Sequence, residues 1–540
     1  MKKLFALLVL LLPLTAAFGG DTWSMVVCHS NDVHGGVDSS EASFMNPEFP
    51  PQLGGGASAA RLISYLREYC RQKKEGFLLL DTGDIFQGTL VGTKTKGEAV
   101  VRYMNEVGYD AWVLGNHEFD LGRIVPENLV RQADFAVLSS NVVDTTGGQR
   151  TDFVKPYIIR NYGPMKVGVI GITTSGTVRQ AFKENIEGLF FGPEVTALTA
   201  YRDTLRAAGV DVIIAATHLG LPFDRWEAWD DVEKREKEGW KSEYVKNAME
   251  LARRVPGISM LFAGDIHVGY QQPWVDPVNH TPCFQGYGKG TNLLAVEFTF
   301  DLKTKKLIGW KNFADDGGLI TLLSDRFPRD RKVAESIDTV AARVETGFDE
   351  PLGIAKTPIS RTGEGESPLG NLICDAMLWK LKGDLSFTNK GGVRTDIPAG
   401  IITPRAVFNV LPFDNTLSTV TITGKFLKEL IEEKVQYGGS GLYVGGLKVK
   451  IDRSLPKGAR VTELLVKGKP CNPDSTYRLV TTDYLLEGNS GMEKLAALRN
   501  QAAVETGVLM RDAVMEYIKE HSPIDAGLDG RWQTTGESPK

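Results

Sequence analysis

At 540 residues the chain exceeds the roughly 100 to 200 residues of an ordinary domain, so two large domains or more are expected. Lys and Arg number 62 against 67 Asp and Glu, a net charge of -5, with no long basic run to track a phosphate backbone. That balance argues against a nucleic-acid polymer as partner.

The chain opens "MKKLFALLVLLLPLTAAFGG": two lysines, an apolar run, then small residues around Ala16 and Ala17. This is the layout of a removable signal peptide over residues 1–20, with a cleavage site after Ala17. A permanent membrane anchor needs about 20 apolar residues, and Pro13 with Gly19, Gly20 and Asp21 leaves the run short. Export to a periplasmic or extracellular location is therefore expected, with no permanent membrane anchor. The five cysteines, Cys28, Cys70, Cys283, Cys374 and Cys471, are odd in number and scattered. Buried or free thiols fit that pattern better than a disulfide framework, with room for one bridge in an oxidising compartment.

From Trp23 to about Phe300, short apolar runs alternate with amphipathic stretches. "WSMVVCHSND", "GFLLLDTGD", "AWVLGNHEFD", "FAVLSSN", "KVGVIGIT" and "DVIIAATHLG" each read as a buried strand ending in polar residues. "GGASAARLISYLREYCRQKKEG" and "GEAVVRYMNEVG" read as helices between them. The alternation predicts an α/β layered domain with function at the strand ends. Val333, Ile337, Val340, Ala341 and Val344 recur at helical spacing before Pro351, which predicts a helical connector within residues 326–350. Residues 351–533 then mix strands ("TLSTVTITG", "GLKVKID", "YRLVTTDYLL") with helices ("GNLICDAMLWKL", "GKFLKELIEEKVQ", "LMRDAVMEYIKEHS"), and residues 534–540 read as a frayed tail.

Five strand ends of the first part carry side chains that bind divalent metals: Asp32 and His34 in "NDVHG", Asp84 in "DTGD", Asn116 and His117 in "GNHEFD", His218 in "THLG", and Asp265 with His267 in "GDIH". Four of the chain's seven histidines fall in these motifs. Any one alone is a weak signal, since a lone Asp is more often a turn or cap and a lone His more often a satisfied polar group. Five together make chance clustering hard to defend.

In this order the motifs resemble the calcineurin-like metallophosphoesterase pattern. The second half is similar to the C-terminal domain of the 5'-nucleotidase family through "ESPLGNLICDAM", "NKGGVR", "LPFDN", "TDYLLEGNSGM" and a terminal "DGRW". The resemblance implies an α/β fold: a four-layer metallophosphoesterase β-sandwich flanked by helices over residues 21–325, then a mixed α/β substrate-binding domain. It implies two divalent metal ions (Mn, Zn, Mg or Fe) that clamp a phosphoryl group during in-line displacement. Asp84 would bridge them, with Asp32, His34 and His267 completing one ion and Asn116, His218 and Asp265 the other. His117 would face the substrate, oriented by Asp120 in a catalytic dyad; Asp120 could also cap the helix that "FDLGRIVPENLV" predicts. Asp81 reads as structural, holding the turn before Asp84.

For substrate binding the resemblance points to Asn389 and Arg394 for phosphate or ribose oxygens, and to Phe413 and Tyr484 as the two rings between which a nucleobase stacks. Three departures stand out. "GDIH" puts Asp265 where the family usually has a histidine, a harder ligand that favours manganese, magnesium or ferrous iron over zinc. "GNSG" puts Ser490 where an Asp commonly binds the ribose hydroxyls. The arginine before "GNL" is matched only by Arg361, slightly early.

The leading expectation is an exported two-metal phosphohydrolase that releases phosphate from nucleoside 5'-monophosphates by attack of a metal-bound hydroxide. The runner-up is a sibling activity: 2',3'-cyclic nucleotide phosphodiesterase with 3'-nucleotidase, nucleotide-sugar hydrolase, or hydrolysis of a sulfur-containing ester. A non-catalytic binding protein of the same fold is disfavoured, because binding alone would not require His117 and Asp120.

Overall fold

The computed structural model describes residues 21–536 apart from 43, 47–48, 147–148, 151–152, 315–316, 364, 437–440 and 499–502. The expected signal peptide lies outside the described residues. Among those described, no helix is long and apolar enough to cross a membrane.

The first part is built on two sheets packed face to face. In one, the strand Thr22–Ser30 lies between Asn292–Asp301, antiparallel, and Gly76–Asp81, parallel, and the parallel order continues through Ala111–Val113 to Ala136–Leu138. In the other, Lys166–Ile172, Val212–Thr217, Met260–Ala263 and Pro282–Gln285 run parallel in that order. The two-residue period of a strand sorts the side chains. Met25 and Val27 join Val169, Ile214 and Phe262 in the core between the sheets. Val26 and Cys28 face the other way, onto the helices Gly55–Lys73 and Glu98–Val107. On the far side, Ile172, Ile213 and Leu261 pack against Glu194–Ala207 and Ala248–Arg254. The result is four layers, helix, sheet, sheet, helix, as expected. Because the central strands are parallel, their carboxyl ends, which carry the polar motifs, open on one edge of the sandwich.

The connector forms the helix Arg331–Val344, capped by the Asp330 carboxylate, which accepts from the Lys332 and Val333 N–H groups. Val333, Ile337, Val340 and Ala341 are buried in the first part's own core, so this helix belongs to that body. Beyond it, Glu345 and Asp349 both meet Arg405 of the second part.

The second part holds a five-stranded sheet in which Leu385–Asn389 lies between Leu442–Gly445 and Thr476–Thr482, and a four-stranded sheet that ends the chain. Two boundaries differ from expectation. "YRLVTTDYLL" is a strand only through Thr482, whose hydroxyl accepts from Leu485 N and starts the short helix Asp483–Leu486. The strand Trp532–Thr535 pairs in parallel with Leu447–Asp452, so Thr534 and Thr535 are ladder residues and not tail. All five cysteines are free thiols, and only Cys471 is partly accessible.

The terminal strand is fastened by a buried arginine. Arg531 donates to Asp375 at 3.0 Å, to Asp529 at 2.6 and 2.9 Å, and to the Val444 carbonyl at 3.2 Å. Arg531→Met should destabilise the second domain by about 2–3 kcal/mol, below the range of a fully buried pair because both carboxylates reach solvent. A lower urea midpoint checks this; an unchanged midpoint would show that the ion pairs contribute nothing net.

Candidate active site

The motifs meet at the sandwich edge because backbone pairing runs on past the strands. Asp32 N donates to Gly83 O at 2.9 Å, His34 N to Asp84 O at 2.9 Å and Gly35 N to Ile85 O at 2.8 Å, so the "NDVHG" and "DTGD" loops are zipped together. Asp32, His34, Asp84, Asp265 and His267 all have positive φ, between 48° and 81°. None is glycine, and such conformations cost on the order of 1–3 kcal/mol each. Local hydrogen bonds hold them. Glu118, fully buried, accepts from Asp84 N at 3.0 Å, Ile85 N at 2.9 Å and Gly115 N at 2.5 Å. Asp81 accepts from Ser30 Oγ at 2.6 Å and Gly83 N at 2.8 Å. Gly115 is required by close approach, since a Cβ there would lie 2.2 Å from Asp84 Oδ1.

Two overlapping triads result, Asp32–His34–His267 and Asp32–Asp84–His218, each with its ligand atoms within 4.8 Å of one another. Asp84 Oδ2 lies 3.1 Å from His218 Nε2 and 3.9 Å from His34 Nε2, between the two groups. Asn116 Oδ1 is 3.1 Å from His218 Nε2. Asp265, expected beside Asn116 and His218, is in neither triad but lies close enough to His218 for their charges to interact, and its left-handed backbone aims its N–H at both Asp32 oxygens, 3.0 Å each.

The donor pattern fits cations. His218 Nδ1 is 2.6 Å from the Thr82 carbonyl and must donate to it, so Nε2 faces the oxygens of Asp84 and Asn116, where either a proton or a metal ion must sit between them. His34 Nδ1 likewise faces the Phe86 and Gln87 carbonyls, and its Nε2 meets His267 Nε2 at 2.8 Å. Acceptors facing acceptors in a buried site need a positive charge between them. In the structure the guanidinium of Arg394 approaches one such pair, its Nη2 3.4 Å from both His34 and His267 Nε2. Burial opposes charge on His218, yet Asp84 and then Asp32 raise its pKa well above the usual value, the electrostatic signature of a site that attracts a cation.

His117 holds a different position. Its N–H donates to Asp84 Oδ1 at 2.9 Å and its Nδ1 lies 2.6 Å from Asp120 Oδ2. Burial lowers its pKa, but Asp120 and Asp84 outweigh that and raise it to about 9, so the surroundings favour the protonated ring. The helix that follows is Ile124–Gln132 with Arg123 at its N-cap, so Asp120 does not cap that helix; its N–H closes the short turn His117–Phe119 and its carboxylate serves the histidine. Across the ring lies Phe413 of the second part, stacked at 5.3 Å and 26°, with the Arg394 guanidinium 5.7 Å from the Phe413 centroid.

Of the other expected residues, Asn389 ends its strand nearly buried with Oδ1 unpartnered, and Tyr484 sits on the short helix edge-on to Phe182 of the first part at 6.2 Å. Ser490 is exposed, with a left-handed φ of 56°, and its carbonyl takes the Lys434 ammonium. Arg361 does reach the Arg394 loop, donating to Val393 O at 3.4 Å. Sequence reasoning missed Glu118, Asn31, whose Nδ2 donates to Asp32 Oδ2 at 2.5 Å, and Asn185, whose Nδ2 donates to Asp120 O at 2.6 Å. Glu118 and Asn31 stood inside the quoted motifs; nothing local marks Asn185.

Residues 25–269 match the model for calcineurin-like phosphoesterases and residues 343–497 that for the 5'-nucleotidase C-terminal domain, in the family's order. The chain belongs to the 5'-nucleotidase family. It is 28% identical over 568 residues to a 5'-nucleotidase of Bos taurus, covering 96% of this chain and 92% of that one. It is also similar to the crystal structure of a 5'-nucleotidase precursor from Thermus thermophilus (TM-score 0.81, 28% identity, 95% and 99% of the two chains). The sulfate thiohydrolase SoxB of the same organism shares the fold (TM-score 0.76, 20% identity, 95% and 97% covered). With the family comes the reaction class: this is a metal-dependent phosphoric ester hydrolase.

Since Glu118 holds the Asp84 turn, Glu118→Gln, which sets an amide N–H against backbone N–H groups, should weaken divalent-metal affinity by roughly 10–100-fold. Calorimetric titration of manganese or zinc into metal-free protein measures this. Unchanged affinity would mean that the turn holds without the carboxylate.

Proposed function

We propose that the protein is an exported two-metal 5'-nucleotidase that releases phosphate from nucleoside 5'-monophosphates. Asp32, His34 and His267 would hold one divalent cation and Asn116, His218 and Asp265 the other, with Asp84 placed to serve both. What bound divalent cations supply is Lewis acidity toward phosphoryl oxygens and a nucleophile at neutral pH. The chain's own residues do the rest. The His117 imidazolium, oriented by Asp120, neutralises charge that develops on the phosphoryl oxygens or the leaving oxygen. Arg394 and Asn389 hold phosphate or ribose oxygens, with Arg361 beside them. Phe413 and Tyr484 supply faces for a base, where stacking contributes about 1 to 3 kcal/mol and tolerates different bases.

The observation that carries this reading is the stack of Phe413 on His117. It sets a ring of the second domain directly against the reacting centre, so the group that leaves with the ester oxygen meets an aromatic face. A base can take that face only if the ring withdraws from His117. This supports a rotation of the substrate-binding domain, residues 351–533, against the metallophosphoesterase domain, residues 21–325. Within the connector 326–350 the helix is buried in the first core, so the turning residues are those after Val344. Export is supported by the leader-like residues 1–20.

Ser490 sustains a second reading. One exposed hydroxyl grips a ribose diol less firmly than a carboxylate, which leaves room for cyclic nucleotides, 3'-nucleotides, nucleotide sugars or sulfur esters. Assays of AMP, 3'-AMP, cyclic 2',3'-AMP and UDP-glucose, with manganese and zinc in turn, decide between them; AMP is expected to be hydrolysed fastest. A preference for the cyclic ester or UDP-glucose would transfer the assignment to that substrate.

His117→Ala should lower kcat for AMP by about 10²–10⁴-fold while two metals per chain remain by elemental analysis. Loss of metal in this variant would make His117 a ligand and sink the role given to it.

A further inference from the structure

Lys289 stands where the first domain meets the loop that carries Arg394. Its own loop, between the strands Pro282–Gln285 and Asn292–Asp301, cannot slide. Lys289 N donates to the Asp32 carbonyl at 2.6 Å, and the residue has a left-handed φ of 54°. On either side the packing is backbone on backbone: a Cβ at Gly290 would fall 1.8 Å from Gly36 O, and one at Gly36 would fall 2.3 Å from Lys289 O. The lysine is therefore pinned to the "NDVHGG" motif before its side chain begins. That side chain crosses to the second domain, where Nζ donates to the Arg394 carbonyl at 2.8 Å.

Arg394 is held at both ends by the first domain. Its main chain takes the Lys289 ammonium, and its Nη2 lies against His34 and His267. Within its own domain the loop is set by Arg394 N to Val410 O at 2.8 Å and Nη1 to Gly391 O at 3.2 Å. Arg361 lies beside the same loop, so Lys289 approaches two guanidinium groups of its own sign. A contact between like charges persists only where other interactions favour it; here those are the carbonyl bond and the nearby Asp396 carboxylate, which also accepts from Arg361 N at 2.7 Å. Lys289 is also exposed, open to the cleft, with two donor hydrogens left over for an anion.

We infer that Lys289 is a positioning residue: by tying the Arg394 carbonyl to the Asp32 loop it fixes the reach of the Arg394 guanidinium over the metal-ligating residues and couples seating of the phosphoryl group to apposition of the two domains. The inference rests on the phosphohydrolase reading above. A reacting group misplaced by about 1 Å can cost on the order of 10²-fold in rate, so one anchor on a long cationic side chain has leverage.

The test is a double-mutant cycle on the full-length, metal-loaded enzyme with AMP. Lys289→Met should lower kcat/KM by about tenfold, the size of one charge-assisted hydrogen bond. Lys289→Gln, which keeps a donor for the carbonyl, should fall between Met and native; if the Met variant fails to fold, the Gln variant carries the cycle. In an Arg394→Ala background the Lys289 substitution should cost less than about twofold more, because its effect runs through Arg394. Metal content per chain should stay at the native value. Independent, multiplicative losses in the double variant, a Met variant within about twofold of native, or loss of metal in both Lys289 variants would each overturn the positioning role. Failure of the underlying reading is distinct, since it would appear as no phosphate release by the native enzyme.

Discussion

The structure depends on one constraint at Asp84: a carboxylate must leave the end of a parallel strand from a left-handed turn and remain buried. Neither the turn nor the burial is favourable alone. Glu118 makes the turn possible by accepting three backbone N–H groups that would otherwise be orphaned. Burial and the nearby Asp84 charge push the Glu118 carboxyl up to about 7, so the clamp is itself under electrostatic load. Divalent cations held by Asp84 and its neighbours would relieve that load by neutralising the carboxylates.

The same logic spreads outward. Asp32 accepts from the Asp265 N–H and from Asn31, and His218 and His34 have committed their Nδ1 atoms to carbonyls. Each of these contacts fixes where the remaining nitrogen or oxygen points, and all of them point into the cleft. A cleft lined with converging acceptors is costly in the folded chain without cations. Metal binding and local stability are therefore linked, and the supporting residues Glu118, Asn31 and Thr82 matter as much as the ligands they aim.

The second domain contributes by contact rather than by ligation. Phe413 covers His117, Arg394 leans over His34 and His267, and Tyr484 meets Phe182. These contacts close the cleft from above with one aromatic and one cationic group, a pair suited to an aromatic phosphate ester.

Much of this was legible in the linear chain. Strand ends betray themselves by an apolar run that stops at an Asp, His or Asn, and parallel βα order puts such ends on one edge, so Asp32, His34, Asp84, Asn116, His117, His218 and His267 could be gathered from motifs alone. Local chemistry was less readable where two assignments compete for one segment: "TTDYLL" reads as a strand until the Thr482 cap turns it, and Thr534 reads as tail until Leu447–Asp452 offers it a ladder. The sequence by itself determined an α/β layered first domain and the metal-binding residue types, and its resemblance to a known family implied the four-layer order. Only the tertiary structure decided that Glu118 carries the Asp84 turn, that Asp265 is in neither triad, and that Lys289 and Arg361 converge on Arg394. Those are distances between residues far apart in the chain, and they arise when two sheets and two domains pack, which no local pattern encodes.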